Sequence, residues 1–197
     1  MPPPAPDTGS TPPGVRLFLP GAPFSAAELA GMRRDGLLRY VYAGAYAEAH
    51  LLPGPAERAA AATWRLSDAL KARAVLGRMS AAWVYGCADA PGRAVLLADR
   101  SRRSTWMPGA ALHEVRLGPA DVVTLGTARV TSPLRTALDL AYHEPSARAL
   151  PALALLGADP DLACPLGHVV AVVLARRRAP GREHALRCLR LAMAAGA

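Results

Sequence analysis

The chain has 197 residues, 52% of them hydrophobic, and a formal net charge of +8. That is enough for one domain, or for a small domain attached to a larger one, with a sizeable core; aromatics at 5% mean a core of Ala, Leu and Val. Three widely spaced cysteines, Cys87, Cys164 and Cys188, argue against a disulfide framework and for reduced thiols in a cytoplasm.

The first fourteen residues, MPPPAPDTGSTPPG, carry six prolines and almost nothing to bury, and their composition predicts a disordered tail over 1–14. A proline-rich start without a basic and then apolar segment predicts no signal peptide. FSAAELAGMRRDG predicts a short helix capped by Ser25, with Glu28 completing a capping box and Gly36 at its end. Leu37 to Tyr42 and Ala45 to Ala49 then read as two short strands across a tight Ala43–Gly44 turn. A helix leading into a small hairpin outlines a reduced winged-helix-like element over 15–52.

Pro53 to Pro55 marks a linker. Beyond it, Ala56 to about Leu76 reads as one long Ala-rich helix, and Ser80 to Tyr85 as a short helix stopped by Gly86. Arg93 to Ala98 reads as an apolar strand, SRRSTWMPG as a basic loop, and Leu112 to Leu117 as an alternating, half-buried strand. DVVTLGTARVTS predicts a hairpin turning at Gly126. A helix follows with Ser132 as its cap and Pro133 at its first position. The rest reads as helical, with breaks at Gly157–Pro160 and Pro180–Gly181. Its longest uncharged run, Leu162 to Ala175, is about 14 residues, short of the ~20 that a membrane span needs. The predicted class is α+β: the N-terminal element, then a 56–197 domain with a small mixed or antiparallel sheet packed with helices, and a helical C-terminus.

Charge is unevenly placed. Residues 1–56 hold four basic and four acidic side chains, residues 57–117 ten and five, and residues 118–197 nine and six. A basic surface attracts nucleic acid or an acidic protein face, although a merely solvated surface is equally compatible. Two clusters stand out: Arg100, Arg102 and Arg103 beside Trp106, and Arg176, Arg177, Arg178 and Arg182 around Pro180. Trp83 and Tyr85 suit core packing better than a base-stacking platform.

Sites for chemistry are missing from the sequence. Lys71 is the sole lysine, with no Glu-x-Lys strand near it, which argues against a restriction-type nuclease. His50, His113, His143, His168 and His184 pair neither with cysteine nor with one another at metal-ligand spacing. No phosphate loop, nucleophile elbow or kinase-like motif is present. The sequence therefore predicts no enzyme, no metal and no cofactor.

Two stretches carry a resemblance. Ser80, Ala81, Ala82, Trp83 and Gly86 form one; Thr131, Ser132, Pro133, Arg135, Thr136, Asp139 and Leu140 form the other. With the N-terminal hairpin before them, the chain resembles the AbiEi family of type IV antitoxins, particularly its actinobacterial members, from about Pro23 to Met193. The resemblance implies a non-enzymatic regulator that binds operator DNA through a winged helix and whose second domain counteracts a nucleotidyltransferase toxin. It makes DNA and such a toxin the expected partners, with no membrane partner, and leaves the oligomeric state open. The expected DNA-binding residues are Arg33, Arg34 and Arg39, with Arg100, Arg102 and Arg103. The motif residues are expected to be structural.

The N-terminal element departs from the family pattern. A full helix-turn-helix needs two supporting helices before the wing, and there is room for one between Val15 and Gly36. The turn Ala43-Gly44-Ala45-Tyr46 also lacks the basic residue that usually precedes the glycine, and Glu28, Asp35 and Glu48 offset the local cations. The alternative reading is thus a protein-interaction module of the same family that has lost specific DNA binding.

One residue raises a separate question. Arg135 sits in the first turn of its helix, where the dipole disfavours a cation. Its partner is expected to be either internal, a carboxylate or carbonyls of the neighbouring hairpin, or external, a phosphate or an acidic protein surface.

Overall fold

The computed structural model describes residues 15–21, 23–99, 110–176 and 179–195, with the backbone alone at Asp99. The chain divides into two compact units, Met1–Pro53 and Gly54–Ala197. The boundary falls within the Pro53–Pro55 stretch.

In the first unit, strand β1 (Leu17–Phe18) precedes helix α1 (Ala26–Arg34) and the hairpin of β2 (Leu38–Tyr42) and β3 (Ala45–Glu48). The capping box is complete: the Glu28 amide donates to Ser25 Oγ at 3.3 Å, and the Ser25 amide donates to Glu28 Oε2 at 2.7 Å. These bonds lower the Glu28 pKa. Gly36, at φ +75°, closes the helix. Ala43 (φ +50°) and Gly44 (φ +85°) are both left-handed, the geometry of a two-residue hairpin turn that follows strand twist. β3 pairs antiparallel with both β2 and β1, giving the order β1-β3-β2. Leu29, Leu38 and Tyr46 form the core, covered by Phe18, Phe24 and Met32.

The second unit is built on a five-stranded mixed sheet of β4 (Val75–Leu76), β5 (Ala94–Asp99), β6 (Ala110–Val115), β7 (Val122–Leu125) and β8 (Ala128–Thr131), in the order β6-β5-β4-β8-β7. β4 runs antiparallel to β5 and parallel to β8. The β7–β8 hairpin turns at Gly126, φ +59°. Around the sheet are α2 (Pro55–Thr63), α3 (Asp68–Lys71), α4 (Arg78–Val84), α5 (Pro133–His143), α6 (Ser146–Ala158), α7 (Leu166–Ala175) and α8 (Arg182–Ala195). The fold is α+β.

The long helix expected over 56–76 is not there. α2 stops at Thr63, α3 is one turn, and Val75 and Leu76 become the central strand. Both side chains are wholly buried, against Leu97 and Leu96 of β5 in register. Burial in a sheet outweighs the helix preference of an Ala-rich run, which amounts to only a few tenths of a kcal/mol per residue. Gly77 then allows a close approach: a Cβ there would lie 2.5 Å from Leu97 Cδ1. The strand expected over 112–117 is Ala110–Val115, an edge strand with Glu114 exposed. The late helices break at 159–165 and 176–181, and Gly157 lets Leu166 pack where a Cβ would stand 2.5 Å from its Cγ. Leu140, Leu153, Leu156, Val169 and Leu189 fill the helical layer. Among the described residues no single helix is long and apolar enough to cross a membrane.

Candidate functional site

Of the expected DNA-contacting arginines, two project freely. Arg33 and Arg34 are exposed in the last turn of α1. The Arg33 guanidinium stands 5.7 Å from the ring centroid of Tyr40, which is itself 47% exposed and packs edge-on against Tyr46. Arg39 turns inward instead, donating from Nε to the Ala49 carbonyl at 3.0 Å, so it braces the hairpin. Arg100, Arg102, Arg103 and Trp106 lie outside the described residues, as do Arg177 and Arg178.

The motif residues of the second unit are consumed in building it. Ser80 Oγ accepts from the Val95 amide at 2.8 Å and ties α4 to β5. Tyr85, one turn on, donates to the Thr131 carbonyl at 2.6 Å, and burial raises its pKa. Thr131 and Thr136 share a hydroxyl–hydroxyl bond of 2.7 Å between β8 and α5. Ser132 caps α5 by accepting from the Arg135 amide, with Pro133 at the first position. Gly86 ends α4 at φ +84°, its amide donating to the Trp83 carbonyl at 2.9 Å, and Arg58 of α2 donates to the carbonyls of Trp83 and Val84, each at 3.2 Å. Trp83 is buried.

Arg135 has several acceptors at once. Its Nε donates to Asp139 Oδ1 at 2.9 Å; its Nη1 donates to Asp121 Oδ2 at 2.9 Å and to the Arg116 carbonyl at 3.1 Å. Asp121 lies in the 3-10 turn Pro119–Asp121 that leads into β7, and its Oδ2 also accepts from the Gly118 amide. The guanidinium therefore clamps α5 to the approach of the hairpin. This ion triad lines a cleft of about 600 Å³, together with Arg116, Tyr142, His143 and Arg176.

The electrostatics of this region are unusual. Asp139 is only 5% exposed, its Oδ2 has no partner among the described residues, and burial raises its pKa although Arg135 acts the other way. Burial, with help from Arg78, lowers the pKa of both His113 and His143. Arg78 has a left-handed backbone, φ +52°, and a buried Nε without a partner. No group of three His, Cys, Asp or Glu residues able to hold a metal occurs among the described residues. Cys87, Cys164 and Cys188 are free and buried, and burial pushes the Cys87 and Cys164 thiols up to about 11.

Sequence reasoning had not singled out Asp121, Arg116, Arg78 or Arg58. An acidic residue in the hairpin was a readable signal for Arg135, but which one was not. A left-handed arginine opening a helix leaves no sequence trace.

No family model matches the chain, and no curated protein matches it. Among solved structures it is similar to the crystal structure of the RV2827C protein from Mycobacterium tuberculosis, at 18% identity and a TM-score of 0.46. The alignment covers 84% of this chain and 64% of that one, so the chain spans just under two thirds of that protein's length. A likeness of this size leaves function to be argued from the chain's own residues.

Proposed function

We propose that this protein is a non-enzymatic regulator of the AbiEi type, a cytoplasmic antitoxin that binds operator DNA through its N-terminal unit and counteracts a nucleotidyltransferase toxin. The observation that carries the reading is the pairing of Arg33 and Arg34, free at the end of α1, with the exposed Tyr40 of the hairpin that follows directly. A helix end with two exposed guanidiniums, one of them stacked on an exposed aromatic, can grip a phosphate backbone, and such binding must weaken steeply with salt. The test is fluorescence anisotropy with the DNA upstream of the protein's own gene, in 50 and 200 mM salt. The Arg33→Ala/Arg34→Ala protein should lose at least tenfold in affinity while melting like the parent. Equal binding by parent and variant overturns the assignment of DNA contact to this unit.

The second reading, a protein-interaction module without DNA readout, is favoured by a different observation. Leu37 and Leu52 are 63% and 77% exposed on the same small unit, and Arg39 is turned inward. On that reading the double variant leaves function intact, whereas polar replacement of Leu37 and Leu52 abolishes binding to a purified nucleotidyltransferase encoded by a neighbouring gene.

A further inference from the structure

The cleft lined by the Arg135 triad holds groups that the fold does not use. Arg116 and Arg176 come from different segments, the end of the β6 strand and the end of α7, and both line it. Both are exposed, and among the described residues neither side chain makes an ion pair or hydrogen bond. The cleft's two carboxylates, Asp121 and Asp139, are both engaged by Arg135, so Arg116 and Arg176 are left without an ion-pair partner and the lining carries one formal positive charge in excess, three guanidiniums against two carboxylates. Asp121 has a second oxygen, Oδ1, that accepts no bond among the described residues, and its side chain is 29% exposed. Tyr142 and His143 line the same cleft, with ring centroids 6.2 Å apart.

These groups differ in what they demand of a ligand. Two free guanidiniums call for an anion, and phosphate suits them best. A bare anion, however, would also meet Asp121 Oδ1, which repels it and calls for a hydrogen-bond donor. Aromatic edges call for a flat ring. The volume, about 600 Å³, lies within the range of clefts that take small molecules, about 300–1,000 Å³. One ligand class meets all of these demands: an anionic phosphate chain at one end, a planar ring, and N–H donors on that ring. We propose that this cleft is a nucleotide-binding site, with Arg116 and Arg176 taking the phosphates, Tyr142 and His143 flanking the base, and Asp121 Oδ1 accepting from an N–H of the base. Burial lowers the pKa of His143, which disfavours a charged ring there. The site is independent of the DNA reading, since it belongs wholly to the second unit.

The test is isothermal titration of the full chain, in 150 mM salt, with ATP, GTP, CTP and UTP, and with inorganic tripolyphosphate and a short single-stranded oligonucleotide as controls. At least one nucleoside triphosphate should bind saturably, one per chain, and at least tenfold more tightly than tripolyphosphate. Arg116→Gln and Arg176→Gln should each weaken that binding about tenfold, the loss expected for one charge-assisted contact, and both proteins should keep the parent's melting temperature. Absence of saturable binding overturns the proposal. So does tripolyphosphate binding as well as the nucleotides, which would mark a simple anion patch, or an oligonucleotide binding where mononucleotides do not. Arginine variants that bind like the parent overturn it as well.

Discussion

Arg135→Ala is the sharpest test of how the second unit is held. The substitution removes three hydrogen bonds to acceptors in two segments, two of them to carboxylates at 2.9 Å. The Arg135 side chain is 14% exposed and that of Asp139 7%, so solvent cannot replace what is lost at Asp139. Breaking a buried pair from one side costs about 3–5 kcal/mol. Asp121 is more accessible and its share is screened, so a total of about 3 kcal/mol is expected, equivalent to about 6–12 °C in melting temperature for a chain of this size. The deficit has a pH signature. Burial already raises the folded-state pKa of Asp139, and loss of the arginine raises it further. A group with a raised folded-state pKa favours folding below that value, and the advantage is lost as pH rises above the unfolded value. The variant should therefore be worst near pH 7 and draw closer to the parent as the pH falls towards 5. Asp139→Asn added to Arg135→Ala should recover part of the loss, because no buried charge is then left unpaired. Thermal melts by circular dichroism at pH 7 and 5, on the parent and both variants, decide the matter. A deficit under about 1 kcal/mol, or one that neither acid nor Asp139→Asn relieves, refutes the clamp.

Two backbone positions give further predictions. Gly77→Ala would place a Cβ 2.5 Å from Leu97 Cδ1, in the wholly buried centre of the sheet, and should cost about 2–3 kcal/mol in a melting experiment; an unchanged melting temperature would mean that β4 sits more loosely against β5 than described. Ala43→Asn should stabilise the N-terminal unit, by about 0.5–1 kcal/mol, because Asn tolerates the left-handed backbone that Ala43 holds at φ +50° and Asn-Gly is the preferred pair for this turn. Urea unfolding followed by tyrosine fluorescence would check this, and a lower midpoint would contradict the turn geometry.

What was legible in the sequence is what local chemistry decides. The Ser25–Glu28 capping box, the Ser132–Pro133 helix start and the turns at Ala43–Gly44 and Gly126 follow from residues within a few positions of one another, and the structure has all of them. β4 was not legible because it is two residues long and its partners, Leu96, Leu97 and Val130, are remote in sequence. β1, equally short, escaped for the same reason. The bond of Arg39 to the Ala49 carbonyl was illegible for another reason, since charge is visible in a sequence but the reach of a side chain is not. The partner of Arg135 fell between these cases. That a first-turn arginine needs an acceptor follows from the helix dipole, but that Asp121 supplies it depends on the hairpin's docking.

The two stretches that most suggest a family are also those the fold uses most fully. Ser80, Thr131, Thr136, Arg135 and Asp139 each bond a neighbour within the second unit, and among the described residues only one oxygen of Asp139 and Nη2 of Arg135 are left over. A residue so committed has little left to offer a ligand. Motif likeness through such positions speaks to how the unit is built, whereas what it binds depends on side chains left over after the fold is satisfied. Among the described residues the leftovers include Arg33 and Arg34 in one unit, and Arg116 and Arg176 in the other. None belongs to the motif, and all four are guanidiniums, suited to phosphate by charge and shape. If the two proposed sites are right, substitutions at these four positions should change binding, and substitutions in the motif should change stability. A motif variant that keeps the parent's stability and loses binding would reverse that division.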